Sequence, residues 1–218
     1  MLIKNKRSNK QSAVVLILAF VLIAFGAWGL WQHYLATHNP NPVISTKIVM
    51  HSTDEPDETP PNCDDSYTVS KNDPRKLELP SVNKSGCIQK VGIDQEKAVA
   101  VPTNVHVAGW YVGSARPGES GVSLIDGHVS GRYSEAVFTG LSKLKTGDPI
   151  RVQFGDKSWR EFKVVDKQSL PAGEAGGVML KQLDDIDKQL TLITCGGRFD
   201  RASQSYEDRV IIRSKLVE

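Results

Sequence analysis

Residues 13–31 form an unbroken run of nineteen side chains, none of them ionisable, directly behind a cluster of Lys4, Lys6, Arg7 and Lys10. At 1.5 Å rise per residue such a helix spans about the 30 Å hydrocarbon core of a bilayer. It carries no polar stripe with which to lie at the edge of a water-soluble core. A cleavable signal peptide has a shorter apolar region, about 7–15 residues ending in a small-x-small site, and only Ala24-Phe-Gly26 loosely fits that pattern. Trp28, Trp31 and Tyr34 make an interfacial aromatic belt at the far end, and no Lys or Arg follows until Lys47. The positive-inside rule therefore predicts a cytoplasmic tail over residues 1–11, a single transmembrane anchor over 12–32 and everything beyond on the outer side of the cell membrane.

The next stretch, residues 33–73, contains Asn39-Pro-Asn-Pro42 and the acidic, Pro-rich run from Asp54 to Pro61, with few aromatics and no sustained periodicity. Such composition buries too little apolar surface to offset chain entropy, so a flexible extracytoplasmic linker is expected there. Of the three cysteines, Cys63, Cys87 and Cys195, an odd one is left over in an oxidising milieu. Cys63 and Cys87 form a candidate disulfide, because a free thiol has a chemical use at Cys195. Two unpaired small core residues are the alternative.

From residue 74 to 218 the chain reads as short strands separated by turn residues, an all-β barrel or sandwich. Candidate strands cover residues 76–79, 87–92, 98–101, 122–129, 150–154, 160–165, 189–195 and 209–214, and Val137, Leu141 and Leu144 predict one short helix over 136–145. Nothing in the net charge of +2 argues for nucleic acid as a partner. No phosphate loop, nucleotide fingerprint or organic-cofactor motif occurs.

The most informative strand is Gln189-Leu-Thr-Leu-Ile-Thr-Cys195, stopped by Gly196 and Gly197. If it pairs antiparallel with residues 209–214, the start of the second strand meets the end of the first and Arg209 lies near Cys195. Alternation turns Leu190, Leu192, Thr194, Val210 and Ile212 inward and puts Cys195 and Arg209 on an outward surface floored by Ile193 and Ile211. The connection from Gly196 to Asp208 is long for a hairpin and is expected to form one wall of a groove. His128 ends the apolar strand beginning at Val122, whereas His106 sits in a polar connection and reads as a surface residue.

Taken singly, Cys195 is a buried structural thiol, His128 a core histidine and Arg209 a surface charge. Together they resemble a known family. Thr191-Leu-Ile-Thr-Cys195 resembles the TLxTC signature of sortases, Gly127-His128 their histidine motif, and Arg209 their arginine. Leu77-Glu-Leu-Pro80 is similar to the family's opening strand, as Val137-Phe138, Leu144 and Gly147-Asp148 are to its "VF…L…GD" segment. Gly109-Trp-Tyr111 with Pro117-Gly-Glu-Ser-Gly121 resembles a segment of class F.

The resemblance implies a closed eight-stranded β-barrel with one or two short helices, preceded by the single transmembrane helix. It implies a cysteine transpeptidase, without a cofactor, that recognises LPxTG-like sorting signals on secreted proteins and passes them to an amine of a peptidoglycan precursor or a pilin lysine. Cys195 would be the nucleophile, His128 the proton carrier and Arg209 the oxyanion and backbone clamp. Thr194, Ile193 and Ile211 would line the substrate site, or serve as strand filler and cover. Asp126 is a candidate orienter of His128 that could equally point to solvent. Asp184, Asp185 and Asp187 stand where some sortases bind calcium, and otherwise form a solvated face. A free thiol and imidazole favour their neutral forms at pH 7, making the ion pair a minority species. A membrane-tethered binding module with the same barrel and no catalysis is the competing reading.

Overall fold

The computed structural model describes residues 26–28, 30, 59–64, 67–95 and 97–217. The chain divides into two units, Met1–Val43 and Ile44–Glu218. In the first, residues 26–28 and 30 are helical. The expected tail over 1–11, nearly all of the anchor over 12–32 and the linker from 33 to 58 lie outside the described residues. Among the described residues no helix is long and apolar enough to cross a membrane.

Among its described residues the second unit holds eight strands: β1 (Pro74–Leu79), β2 (Lys84–Val91), β3 (Ala108–Tyr111), β4 (Gly121–Asp126), β5 (Pro149–Phe154), β6 (Trp159–Pro171), β7 (Lys188–Asp200) and β8 (Ser205–Val217). They close into a barrel in the order β1-β2-β3-β4-β7-β8-β6-β5, β5 returning to β1. Closure leaves no sheet edge exposed for pairing with another chain. Two junctions, β2/β3 and β4/β7, are parallel. The second of them matters most, because it lays the ends of two distant strands side by side.

The period of two in β7 and β8 divides the apolar residues between two cores. Leu190, Leu192, Val210 and Ile212 fill the barrel interior with Leu77, Ile88, Trp110, Ile125, Phe138 and Phe162. Their neighbours Ile193 and Ile211 face the other way, into a second cluster with Val91, Val99, Tyr111, Leu124, Ala175 and Met179. Fully burying such a side chain contributes about 1.5–3 kcal/mol, so both faces of these strands are fixed by packing.

Some expectations need correction. Residues 136–145 are turns followed by a 3-10 helix at Leu141–Lys143. Val137, Leu141 and Leu144 are buried as their spacing requires, but Gly140 at φ 84° breaks the backbone before an α-helix can form. The described helical segments of this unit are that one, a second 3-10 turn at Pro80–Val82, and α1 at Ala172–Ala175. Residues 98–101 pair only through the isolated bridge Ile93↔Val99, and β3 takes the place in the barrel that they were expected to fill. Finally, β7 does not stop at Gly196. It bulges between Gly196 and Phe199 and continues to Asp200 against β8, so residues 196–208 form a hairpin extension and not an open loop.

The described part of the expected spacer, residues 59–64 and 67–73, is fastened to the barrel. Cys63 and Cys87 are joined, 24 residues apart in sequence. Buried Arg75 donates from Nη2 to the carbonyl oxygens of Cys63, Asp64 (3.2 Å) and Tyr67 (3.0 Å), and the Tyr67 hydroxyl donates to Ile88 O at 2.6 Å. The Pro-rich composition misled here because one covalent bond and one guanidinium order a segment that has no core of its own. A bridge closing a loop of this length stabilises by about 3 kcal/mol. The Cys63→Ala/Cys87→Ala double variant is therefore expected to melt about 6–12 °C lower, read by circular dichroism. An unchanged melting temperature would show that the bridge holds nothing.

Candidate active site

β7 and β8 pair with Cys195 opposite Arg209 and Ile193 opposite Ile211. On its other side β7 runs parallel to β4, with Asp126 beside Ile193. Two residues further along come Cys195, still on β7, and His128, two residues past the end of β4. Parallel neighbours lie about 4.8 Å apart, so the imidazole and the thiol are carried to the same barrel end on adjacent paths, with the guanidinium on the third. The Thr194 hydroxyl donates to Gly127 O at 2.7 Å and binds the residue before the thiol to the residue before the imidazole.

His128 is held on both sides. Its carbonyl accepts from Phe138 N at 3.0 Å, and its Nε2 lies 2.8 Å from Pro102 O. A carbonyl can only accept, so Nε2 carries the proton and Nδ1 is the unprotonated nitrogen of the ring. The guanidinium of Arg209 is positioned through Nη1, which donates to Tyr206 O at 3.0 Å and Asp208 O at 2.9 Å. All three side chains are nearly enclosed, with 5% of Cys195, 3% of His128 and 2% of Arg209 exposed. Burial pushes the Cys195 thiol up, and the Arg209 charge pulls it part of the way back. The neutral thiol thus prevails at neutral pH.

The other expected residues fare differently. Ile193 and Ile211 are fully buried in the second cluster, beneath Val99, Ala175 and Met179. A peptide side chain could reach them only if the segment carrying Ala175 and Met179 moved. Asp126 does not orient His128: its carboxyl is 1% exposed and neither oxygen has a hydrogen-bond partner. Burial raises its pKa well above the ordinary range; the N–H groups of Asp126 and Gly109 lie close enough to act in the other direction but fall short of hydrogen-bond geometry. The orienting group is instead the carbonyl of Pro102, which no sequence signal announces. His106 is half-buried and faces Ser134 Oγ at 3.3 Å, away from the site. Asp184, Asp185 and Asp187 are exposed, Asp187 accepting from Ser120 Oγ at 3.0 Å. Among the described residues no three metal-ligating side chains converge.

The buried acid has a measurable consequence. A carboxyl whose folded pKa is raised contributes stability that is fully present below its unfolded pKa of about 3.9 and is lost as pH rises toward the folded value. Asp126→Asn removes that loss. The variant's melting temperature is expected to gain on the wild type progressively from pH 4 to pH 8. A gap independent of pH would show that the acid is not held neutral.

Beside the thiol opens a cavity of about 420 Å³, lined by Val129, Thr194, Cys195, Gly196, Asp208 and Val210 among others. Thr194 and Val210 belong to the inward-facing set, so this opening lies at the barrel mouth, with the thiol at its border. Tyr206, whose hydroxyl is 2.8 Å from Ser130 Oγ, closes one side. Neither Tyr206 nor Asp208 stands out in the sequence, because only the hairpin pairing brings them beside Cys195.

The sortase domain family model matches residues 77–217. Among solved structures the chain is similar to sortase A from Corynebacterium diphtheriae, at 22% identity over 68% of this chain and 62% of that one, with a TM-score of 0.49. It thus spans less than two thirds of that relative. A Clostridium perfringens sortase D5 transpeptidase shares 22% identity over 69% of this chain and 82% of that one, TM-score 0.50. The Group B Streptococcus pilus island 1 sortase C2 shares 21% identity over 70% and 77%, TM-score 0.52. The last two show a common barrel. No curated protein matches the sequence.

Proposed function

The chain belongs to the sortase family, and from that premise we propose that it is a membrane-anchored cysteine transpeptidase of class F. It cuts an LPxTG-like sorting signal on secreted proteins between Thr and Gly and passes the new carboxyl end to an amine of a peptidoglycan precursor or a pilin lysine. The observation that carries this reading is the register: Cys195 opposite Arg209, with His128 two residues past the end of the strand on the other side. The class rests on Gly109-Trp110-Tyr111 and Pro117 to Gly121, and the anchor on the uncharged run 13–31 with its basic flank.

The chemistry follows from the environments. Attack by Cys195 requires the thiol proton to leave, and His128 Nδ1 is the acceptor. Because burial favours the neutral thiol, the reactive ion pair is a minority species whose share rises with pH until the imidazole can no longer hold the proton. The carbonyl oxygen becomes negative as the C–S bond forms, and the fixed guanidinium of Arg209 offsets that charge without reorganising. The imidazolium then protonates the departing glycine nitrogen, leaving a thioacyl enzyme. An incoming amine gives its proton back along the same route as the C–S bond breaks.

A panel of fluorogenic LPxTG-like peptides, offered with and without an amine, tests the reading. Cleavage at the Thr–Gly bond by the wild type and transfer to the amine are expected. Failure to cleave any member would favour a binding module with the same barrel.

A further inference from the structure

Tyr206 is bonded toward two of the three reactive groups at once. Its carbonyl oxygen accepts from Nη1 of Arg209 at 3.0 Å, and its hydroxyl lies 2.8 Å from Ser130 Oγ, two residues beyond His128. One residue thus holds the guanidinium with its main chain and the imidazole's own segment with its side chain. Both Tyr206 and Ser130 are half-buried, so the bond between them is partly shielded from water.

The surroundings show why such a bond is needed. β4 accompanies β7 only as far as Ile193, and β6 accompanies β8 only from Asp208 onward, so the rungs beyond, with Phe199 opposite Tyr206, form a two-stranded ribbon. A ribbon of two strands is marginally stable by itself. The guanidinium of Arg209 hangs from this ribbon, through Tyr206 O and Asp208 O, and would move with it. The imidazole belongs to the barrel instead. Gly127 O accepts from Thr194 Oγ1 at 2.7 Å, His128 O from Phe138 N at 3.0 Å and Val129 O from Thr139 Oγ1 at 2.8 Å, which pins its segment residue by residue. Ser130 is where that pinned segment meets the ribbon. The Tyr206 ring is kept in place for the bond by Phe199, edge to face at 5.1 Å.

We infer that Tyr206 is a positioning residue of the reaction: its hydroxyl bond to Ser130 docks the β7–β8 ribbon on the segment of His128 and so fixes the separation of guanidinium and imidazole. This rests on the transpeptidase reading above. In that reaction Arg209 serves the carbonyl oxygen and His128 the departing nitrogen of one peptide bond, so their spacing must hold while charge moves between them. Tyr206 makes and breaks no bond in the reaction. It acts through the two groups that it ties together.

Tyr206→Phe keeps the ring and the carbonyl and removes only the hydroxyl. With a peptide that the wild type cleaves, kcat is expected to fall about tenfold while KM stays within about twofold. Ser130→Ala removes the other end of the same bond and should lower kcat equally, and the double variant should be no slower than either single one. Ser130→Thr keeps a hydroxyl and should recover most of the rate. A residue that merely braced the fold would lower the melting temperature and leave the kcat of folded protein unchanged. Amide hydrogen exchange over residues 127–131 reads the docking without turnover, and both single variants should exchange faster than the wild type by the same factor. An unchanged kcat in both single variants, losses that multiply to about a hundredfold in the double variant, or a raised KM at constant kcat overturns the assignment. A wild type that cleaves no peptide defeats the transpeptidase reading and the positioning role with it; faster exchange in the variants would then still keep the docking bond, and unchanged exchange would remove it too. A poorly folded Tyr206→Phe is recognised by its melting curve, and Ser130→Ala then decides.

Discussion

Cys195→Ala is expected to lower peptide cleavage by at least about 10³-fold, to the background of uncatalysed hydrolysis. No neighbouring group can replace the sulfur: the Thr194 hydroxyl is spent on Gly127 O at 2.7 Å and faces the barrel interior. The other two cysteines are tied to each other. Intact-mass measurement supplies a second reading of the same variant, since wild type mixed with peptide should gain the acyl mass and the alanine variant should not. Because the thiol fills a nearly enclosed position, truncation leaves a small void and the fold should persist. Cleavage above about 1% of wild type in the variant would remove the thioacyl route.

Arg209 carries the next largest effect. Arg209→Lys keeps the charge but loses the planar fork, and Nζ cannot reproduce the bonds that Nη1 makes to Tyr206 O and Asp208 O. Losing one preorganised oxyanion donor costs about 10²–10³ in kcat. Arg209→Gln should cost at least as much and do something the lysine does not. The guanidinium now pulls the thiol down against burial, so without a cation the thiol rises further. The falling limb of the pH profile, where the thiol of the majority neutral pair ionises, therefore moves to higher pH in Arg209→Gln, and stays near its wild-type position in Arg209→Lys. Steady-state kinetics from pH 6 to pH 10 on all three proteins would measure both effects. A limb unmoved by loss of the charge would mean that Arg209 acts on substrate alone.

The strands that make the site could be read from sequence because their alternation is strict. Leu190 and Leu192 against Ile193, and Val210 and Ile212 against Ile211, divide into the two cores as period two requires. The pairing of Cys195 with Arg209 followed from antiparallel order alone. What stayed hidden is what depends on long-range contact. β3 is four residues long and buried throughout, so it shows no alternation. The 3-10 turn at Leu141–Lys143 has helical spacing without helical backbone. The grip of Pro102 on His128 runs through a main-chain oxygen, identical in every residue type. Asp126 could be read either way because its position on the outer face was legible and the cover over that face was not.

The bond between Cys63 and Cys87 also sets a route for mechanical load. A pull applied to the chain ahead of Cys63 reaches the barrel at Cys87 on β2, through sulfur, and bypasses the first residues of β1. The ladder between β1 and β5, whose hydrogen bonds would otherwise be peeled one at a time from Pro74, is relieved of the force. A domain attached in this way can be tugged by whatever lies upstream and keep its seam shut.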